Sequence, residues 1–239
     1  MKKTLATTIV CLALLAGLPV FAAVVVVGSP ADVGTGNSYP FGSAYDGEYQ
    51  QIYNGGQFSG PITITDLEFY NTQVNFGATS MNSGTWTIGL GTTSTDWNTL
   101  NANMSLNGST STVFSGNLFQ PWAFGDTLVI NLTTPFTYNP GSGNLLMDIL
   151  VSGASAPGGL IFFDTNGYNN GGFNGNTFMG RVYCPGGVNC GGVGTVNNGY
   201  GLVTGFSYTT STTPEPGSLA LFGSGVIGLT AVLRRKFNM

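Results

Sequence analysis

The sequence predicts an all-β fold, a single β-sandwich of the jelly-roll type. Between residues 24 and 210, Thr, Ser, Asn and Gly dominate, whereas the good helix formers Lys, Glu and Arg are nearly missing. Aromatic and β-branched residues come in short runs separated by Gly, Asn and Ser, the pattern of strands joined by turns. The region is roughly 187 residues long, which is enough for one well-buried domain. Two sheets packed face to face would bury such a set of short strands.

The strand positions follow from the alternation of apolar and polar side chains. Residues 85–90 and 127–132 each alternate in this way, so each is predicted as a strand with one buried face. Residues 145–151 are almost continuously apolar, which predicts a central strand. Further strands are expected at residues 24–27, 50–53, 160–163, 180–183 and 202–208.

One predicted strand contains a change of phase. Ile62 and Ile64 point to one side of a regular strand. Leu67 and Phe69, later in the same run, fall on the opposite side. One extra residue between the two pairs would bring all four side chains to one face. We therefore expect a β-bulge or a bend near Thr65-Asp66.

The C-terminus combines three features in a fixed order. A tripeptide, an apolar run and a basic cluster follow one another: Pro214-Glu215-Pro216, residues 217–233, and Arg234-Arg235-Lys236. This segment resembles the PEP-CTERM sorting domain of Gram-negative bacteria. The resemblance implies that the chain is exported and then processed by a transpeptidase-like membrane enzyme, an exosortase. It also implies a final location at the cell surface or in the extracellular matrix.

The apolar run is marginal in length for a membrane span. Seventeen residues in a helix reach about 25 Å, just under the ~30 Å hydrocarbon core. The basic cluster after it would stay on the cytoplasmic side, which leaves the rest of the chain outside. Such a segment suits transient membrane insertion during sorting. An ordinary buried helix and a permanent anchor remain open as alternative interpretations.

The N-terminus has the pattern of a secretory signal peptide. Lys2 and Lys3 precede the apolar residues 5–18, and cleavage by signal peptidase is expected after Ala22 or Ala23. The sequence therefore predicts three parts: a signal peptide at residues 1–22, a β-sandwich at 23–210 and a sorting tail at 211–239.

The charge distribution excludes nucleic-acid binding. Five of the six Lys and Arg residues lie in the two targeting segments, so Arg181 is the cation left in the mature region. One cation against nine carboxylates before the sorting tail gives a formal charge of −8. One arginine cannot neutralise a series of phosphates. We expect Arg181 itself to be a solvated loop residue or part of a single surface ion pair.

Two cysteines remain once Cys11 leaves with the signal peptide. Cys184 and Cys190 are separated by five residues, and in an exported protein this spacing predicts a disulfide across a surface loop. A metal-binding pair is the alternative, but structural zinc takes four ligands and the chain has no histidine. We expect no metal and no cofactor.

The residue inventory argues against catalysis. Without histidine, Ser-His-Asp and Cys-His arrangements are impossible, and the usual general base near neutral pH is missing. A glycoside hydrolase needs two carboxyl groups across a cleft. Two carboxylate pairs are present, each two residues apart: Asp46 with Glu48, and Asp66 with Glu68. Such pairs are far commoner on the wet face of a strand, so the protein is predicted not to be an enzyme.

Three binding hypotheses stand beside a purely structural role. Residues 164–172 offer oxygen ligands in a glycine-rich loop, but they lack the spacing of a calcium loop and contain one carboxylate. Trp97 and Trp122 lie beside turn residues, where they would stack on sugar rings as in a carbohydrate-binding module. Thr-x-Thr pairs would suit an ice-binding surface but do not recur at one period. They are Thr63/Thr65, Thr85/Thr87 and Thr110/Thr112.

The sequence thus predicts a non-enzymatic exported protein with a structural role in the outer envelope or in an exopolysaccharide and biofilm matrix. The main alternative is a surface carbohydrate-binding module, and ice binding is a minor one. The expected partners are signal peptidase, exosortase and extracellular polysaccharide. An exposed aromatic strip on one sheet would favour the carbohydrate-binding module, whereas burial of the aromatic residues would favour a structural role.

Overall fold

The computed structural model describes residues 22–30, 36–169, 172–187 and 189–209. These residues form an all-β protein, as the sequence predicts, and helix is limited to short 3-10 turns. The region from Ala22 to Thr209 is one compact unit. Residues 1–21 of the predicted signal peptide and the whole predicted sorting tail, residues 211–239, lie outside the described residues. No helix in the described ranges is long and apolar enough to cross a membrane.

The described part of the chain contains fourteen strands. In chain order they are β1 (Ala22–Val27), β2 (Gly47–Tyr53), β3 (Ile62–Tyr70), β4 (Ser83–Thr93), β5 (Ser111–Gly116), β6 (Thr127–Tyr138), β7 (Asn144–Ser155), β8 (Thr165–Asn166), β9 (Tyr168–Asn169), β10 (Gly172–Phe173), β11 (Met179–Pro185), β12 (Thr195–Asn197), β13 (Gly201–Leu202) and β14 (Thr204–Thr209). The long strands form two antiparallel sheets, and most of the short ones lie between β7 and β14.

The strand order is that of a jelly roll. One sheet has the order β1-β14-β3-β6, and the other contains the run β2-β7-β4-β5. Neighbouring strands in both runs are antiparallel. Next to β2, the second sheet continues with β11 and β12, which brings it to six strands. The segment from β8 to β13 is therefore an insertion between the seventh and the last strand of the jelly roll.

The bulge expected near Thr65-Asp66 is present. The pairing of β3 with β6 shifts its register between Ile64 and Asp66. The shift brings four apolar side chains of β3 into the core: Ile62, Ile64, Leu67 and Phe69. The apolar run predicted as a central strand is β7, which lies between β2 and β4. Both predictions are confirmed.

The strand predicted at residues 160–163 is wrong. This segment forms isolated bridges, Phe163 with Asn37 and Phe162 with Val74. Its apolar pattern reflects burial of two side chains, Ile161 and Phe163, against loop segments rather than membership of a sheet. Conversely, alternation does not predict β5, because Ser, Thr and Gly fill four of its six positions.

The core between the two sheets is rich in aromatic side chains. Trp86 on β4 is fully buried, and its Nε1 donates to the Pro40 carbonyl oxygen at 3.1 Å. Tyr53 on β2 packs edge-on against Phe206 on β14, with ring centroids 5.0 Å apart. Because each ring buries a large apolar area, these contacts hold the two sheets together.

A second, smaller core lies on the outer face of the six-stranded sheet. The connection between β4 and β5 covers this face with Leu100 and Met104. These two side chains pack on apolar residues of three strands: Ile52 of β2, Leu146 of β7 and Val182 of β11. The disulfide between Cys184 and Cys190, which the spacing predicts, joins the same cluster. The sheet is thus covered on both faces over part of its area.

Candidate functional site

Beside the smaller core, the outer face of the six-stranded sheet holds a pair of carboxyl groups, Glu48 and Asp148. The pairing of β2 with β7 sets Gln50 opposite Asp148 and Glu48 opposite Leu150. Glu48 and Asp148 are therefore diagonal neighbours on one face, and their side chains hydrogen-bond to each other. Gln50 donates from Nε2 to Glu48 Oε1 at 3.4 Å and accepts from Asn107 Nδ2 at 3.0 Å. The connection between β4 and β5 is thus bonded to the carboxyl pair through Gln50.

The Asp148 carboxyl keeps its proton to a higher pH than an ordinary aspartate. Desolvation, together with the neighbouring Glu48 charge, raises the pKa of Asp148 to about 7, while a hydrogen bond from Gln50 opposes the shift. Asp148 Oδ1 is enclosed and has no hydrogen-bond partner among the described residues. Ionising Asp148 beside the Glu48 carboxylate, with part of its surface withdrawn from water, is therefore costly. Sequence reasoning missed this pair because its members are 100 positions apart.

The carboxylate pairs that the sequence suggested are used in hydrogen bonds within the fold. Asp46, just before β2, accepts from the Ala154 backbone N–H at 2.7 Å, and this bond holds the pKa of Asp46 below its usual value. Glu68 accepts from the Tyr70 hydroxyl at 3.0 Å and from the Ser207 hydroxyl at 2.7 Å. These partners occupy the oxygens that a catalytic carboxylate would present to a substrate.

Arg181 is not the solvated surface residue that we expected from the sequence. It lies on β11 with 5% of its surface exposed. Its guanidinium carbon is 4.7 Å from the ring centroid of Tyr183 and 4.4 Å from that of Tyr200. Its Nε donates to Asn197 Oδ1 at 3.1 Å. Stacking on two rings stabilises a desolvated guanidinium, so this cation serves the interior of the fold and not an anionic ligand.

The loop considered for calcium uses its one carboxylate for another purpose. Asp164 is buried, and its oxygens accept from the backbone N–H groups of Thr72 and Gln73 and from the Thr72 hydroxyl. These bonds fix the start of the connection that follows β3. Among the described residues, no group of three or more His, Cys, Asp or Glu side chains could hold a metal ion. The geometry of Asp164 therefore does not support the calcium hypothesis.

The two tryptophans considered for sugar contact both pack against the protein. Trp122 is 6% exposed, and its ring centroid lies 5.6 Å from that of Phe163. Its Nε1 donates to Asn71 Oδ1 at 3.2 Å. The hypothesis that Trp122 is a surface contact is therefore wrong, because the core encloses its ring. Trp97 is half-buried and packs on the smaller core, which leaves only part of its ring to a ligand.

The exposed aromatic side chains lie outside the long strands. Phe76 stacks on Phe162, with ring centroids 4.7 Å apart and 28° between the ring planes. Tyr168 and Phe173 face each other across the short strands β9 and β10. The other exposed aromatic residues in the described part of the chain are Tyr45, Phe119 and Phe124. Across residues that the structure describes, the two large sheets thus carry no exposed aromatic strip.

A shallow cleft of about 330 Å³ lies beside the disulfide loop. Asp46, Thr87 and Leu150 line it together with residues 186–187. The Asp46 carboxylate is already bonded to a backbone N–H, and the Thr87 hydroxyl is 3.1 Å from that of Ser115. The cleft therefore offers a contact surface rather than an assembled catalytic group.

The Thr-x-Thr pairs do not come together in one row. Thr63 and Thr65 lie on β3, in the four-stranded sheet. Thr85 and Thr87 lie on β4, in the six-stranded sheet. A single threonine face, as the ice-binding hypothesis requires, is not formed by these pairs.

Comparison with known protein families assigns the C-terminal segment. Residues 212–236 match the PEP-CTERM protein-sorting motif. All six residues predicted as the sorting signal, from Pro214 to Lys236, fall within this match. The chain therefore carries a PEP-CTERM motif, as its sequence predicts. The motif marks an exported protein that exosortase-type machinery sorts, and that is anchored in the membrane before its release at the surface.

The remaining comparisons do not assign an activity. Curated proteins give no match to this chain. Among solved structures, a chain from "Crystal structure of the T13 IBDV viral particle reveals a missing link in icosahedral viruses evolution" aligns with 83% of this chain at 10% identity, with a TM-score of 0.20. The alignment spans 44% of that viral-particle chain, less than half of its length. A likeness this low carries no argument about fold or function.

Proposed function

We propose that the protein is a non-enzymatic structural component of the outer envelope, or of an exopolysaccharide and biofilm matrix, of a Gram-negative cell. The observation that carries this proposal is the PEP-CTERM motif at residues 212–236. The motif directs the sorting of a jelly-roll domain, and the charged side chains of that domain make contacts that stabilise its fold. Signal peptidase and exosortase are its processing partners, and extracellular polysaccharide is its final surrounding.

The placement of the ionisable groups supports a structural role. Asp164 and Asp46 bond to backbone N–H groups of other segments. Asp126 accepts from the Ala123 N–H at 2.8 Å and so fixes a turn within its own loop. Glu48 and Asp148 are bonded to each other beside Gln50, which Asn107 of the connection between β4 and β5 contacts. An enzyme needs such groups in a cleft, with a reacting atom within hydrogen-bond reach. Asp46 lines the shallow cleft, but its carboxylate is bonded to the end of β7. Asp164 ties the connection after β3 to the segment before β8, as expected of a group with a structural role.

The placement of the aromatic residues supports the same conclusion. A β-sandwich that binds sugars presents aromatic faces in a row, so that successive rings stack on them. Here the largest rings are buried between the sheets: Trp86, Tyr49, Tyr53, Tyr138 and Phe69. The many Ser, Thr and Asn residues of the mature region offer hydroxyl and amide groups for neutral hydrogen bonds with a hydrated matrix.

Replacing Pro214, Glu215 and Pro216 by alanine is expected to leave export intact and to block processing. The signal peptide and the jelly roll are unchanged in this variant, so it should cross the inner membrane, but its apolar segment then remains attached and holds it there. Membrane fractionation and intact-mass measurement should find the variant in the membrane with its tail, and the wild-type protein at the surface with a shortened tail.

The matched control for this experiment replaces the three preceding residues, Ser211, Thr212 and Thr213, by alanine. This change has the same size but leaves the tripeptide in place, so its processing should resemble that of the wild type. Release of the Pro214-Glu215-Pro216 variant at the wild-type level would contradict the role of the motif in this chain.

A carbohydrate-binding module is the second candidate, and the exposed Phe76–Phe162 stack favours it. The outer face of the Phe76 ring is free to accept a sugar ring, and its neighbours in the chain, Asn75 and Gln73, are neutral hydrogen-bonding residues. This stack replaces Trp122 as the contact to test. Phe76→Ala removes the exposed ring, and Tyr45→Ala removes an exposed ring elsewhere as a control.

Retention of the exported protein by purified exopolysaccharide distinguishes the two candidates. For a structural component we expect equal retention of wild type, Phe76→Ala and Tyr45→Ala. Retention should also be similar at ~0.05 M and ~0.5 M NaCl, because screening weakens only charge-driven attraction and the one cation of the mature region is buried. Loss of retention in Phe76→Ala alone would favour the carbohydrate-binding module. Loss at high salt in all three proteins would contradict both candidates.

A further inference from the structure

We propose that the free edge of β1 is an assembly surface that pairs with β1 of a second copy of this chain. This inference goes beyond the proposed function, because it concerns how copies contact one another and holds for either candidate above. The pairing would join two four-stranded sheets edge to edge across a two-fold axis.

The strand β1 forms a regular edge of the four-stranded sheet. Its six residues pair without interruption with β14, from Ala22 opposite Thr209 to Val27 opposite Thr204. Val27 is fully buried and Val25 packs against the core, so the strand is anchored on its inner face. Among the described strands β14 is its only neighbour. The backbone groups along the other side of β1 are therefore available to a further strand.

The other three edge strands of the large sheets, β5, β6 and β12, each carry a feature that hinders pairing. β6 contains Pro135, and its Thr133 hydroxyl donates to the Val113 carbonyl oxygen of β5 at 2.9 Å. The pairing of β4 with β5 shifts register between Ile88 and Gly89, so β5 is irregular. β12 is three residues long. Proline, irregular pairing and short length are the usual means of protecting an edge strand.

The edge strand β1 has none of these protections. Residues 22–27 contain no charge, no proline and no glycine, and the last four are all valine. Val24 and Val26 are 48% and 40% exposed, on the face opposite the core. An edge strand that is regular, apolar and uncharged is a template for another strand.

The strand best suited to pair with β1 is β1 of a second copy. A run of identical β-branched residues is complementary to itself in antiparallel pairing, so two copies related by a two-fold axis fit without a register penalty. The exposed valines of the two strands would then form cross-strand pairs. The domain is acidic overall, but β1 and its neighbour β14 contain no ionisable carboxylate. Like charges therefore do not face each other across this axis.

The expected contact is weak in dilute solution. Signal peptide cleavage after Ala22 or Ala23 leaves five or four residues of β1 in the mature protein, including all four valines. So short an edge buries far less than the ~1,200 Å² of a stable interface, so association should require high concentration. A protein crowded at a cell surface or in a matrix meets that condition. The test therefore follows the exported, processed protein over a range of concentrations by sedimentation.

Val26→Lys is the variant that tests the edge, because a lysine on an edge strand hinders further pairing. Val193→Lys is the matched control, since Val193 is 76% exposed and lies outside β1. We expect the wild type and Val193→Lys to dimerise equally, and Val26→Lys to raise the dimer dissociation constant at least about tenfold. N-terminal sequencing should show that all three proteins keep the same mature start.

A second variant identifies the contact itself. Val26→Cys introduces one free thiol, because Cys184 and Cys190 are joined to each other. Antiparallel pairing centred on Val25 sets position 26 opposite position 24 of the second copy. Oxidation of an equimolar mixture of Val26→Cys and Val24→Cys at high concentration should therefore link position 26 of one copy to position 24 of the other, and mass spectrometry detects that mixed peptide. A wild type that stays monomeric at all concentrations would overturn the proposal. Equal effects of Val26→Lys and Val193→Lys, or no excess of the mixed 24–26 dimer over the 26–26 dimer, would overturn it too.

Discussion

Trp122→Ala is expected to lower the free energy of unfolding by about 3–5 kcal/mol, and to leave polysaccharide retention of the folded protein unchanged. The ring of Trp122 is 6% exposed and packs against Phe163. Truncation leaves a cavity and removes the bond from Nε1 to Asn71 Oδ1. Urea unfolding of the exported protein, followed by tryptophan and tyrosine fluorescence, measures the loss.

The control is Phe119→Ala in the same loop. Phe119 is exposed, so its truncation should change the free energy of unfolding by no more than about 0.5 kcal/mol. A small loss for Trp122→Ala, comparable with that for Phe119→Ala, would show that the ring of Trp122 does not lie in the core. Loss of retention by folded Trp122→Ala would restore the original hypothesis of sugar contact.

Local patterns in the sequence were sufficient for the long strands. The alternation at residues 85–90 and 127–132 predicts β4 and β6, because one face of each strand is buried and the other is not. The phase change in β3 predicts its bulge for the same reason. The cysteine spacing and the sorting motif are also local signals, since both depend on residues close together in the chain. These features needed no knowledge of which strands pair.

The burial of Trp122 could not be predicted in this way. The residues around it do not alternate, and its enclosure depends on backbone bonds between separate loops. The Met81 N–H donates to the Gln120 carbonyl oxygen at 2.8 Å, and the Trp122 N–H donates to that of Thr79 at 3.1 Å. These bonds hold the loop that contains Trp122 against the segment that precedes β4. A position beside turn residues therefore does not imply exposure when loops pack on one another.

The same limit applies to the buried polar groups. Arg181 lies on a strand with Tyr183 two positions away, but its second ring comes from Tyr200 in a later segment. Glu48 and Asp148 meet only because β2 pairs with β7 in one register. A composition with one cation suggested a solvated arginine, since that is the usual place for an isolated charge. The contacts of Arg181 and the Glu48–Asp148 pair both depend on segments that are distant in the chain. No local sequence pattern predicts such contacts.

Asp148→Asn is expected to stabilise the protein at pH 8 and to flatten its stability between about pH 4 and pH 7. Burial and the Glu48 charge raise the pKa of Asp148 to about 7 in the folded protein, against about 3.9 in an unfolded chain. The folded state therefore binds its proton more tightly. The resulting stabilisation is fully present below about pH 4, and it is lost as the pH rises through about 7. A shift of about three pKa units corresponds to about 4 kcal/mol across this window.

Asparagine at position 148 cannot ionise, so the variant does not lose stability as the pH rises through about 7. Its amide can still donate a hydrogen bond to Glu48. The titratable groups near Asp148 are Glu48 on the same face, Asp46 at the start of β2 and the Tyr39 hydroxyl. Burial and the charges of Glu48 and Asp46 raise the pKa of Tyr39.

Asp96→Asn, which changes an exposed carboxyl in the loop after β4, is the matched control and should keep the wild-type slope. Urea unfolding at pH 4, 6 and 8, chosen to bracket the ~3.9 and ~7 values, measures all three proteins. Parallel curves for wild type and Asp148→Asn would show that Asp148 is solvated in the folded protein and that its pKa is not raised.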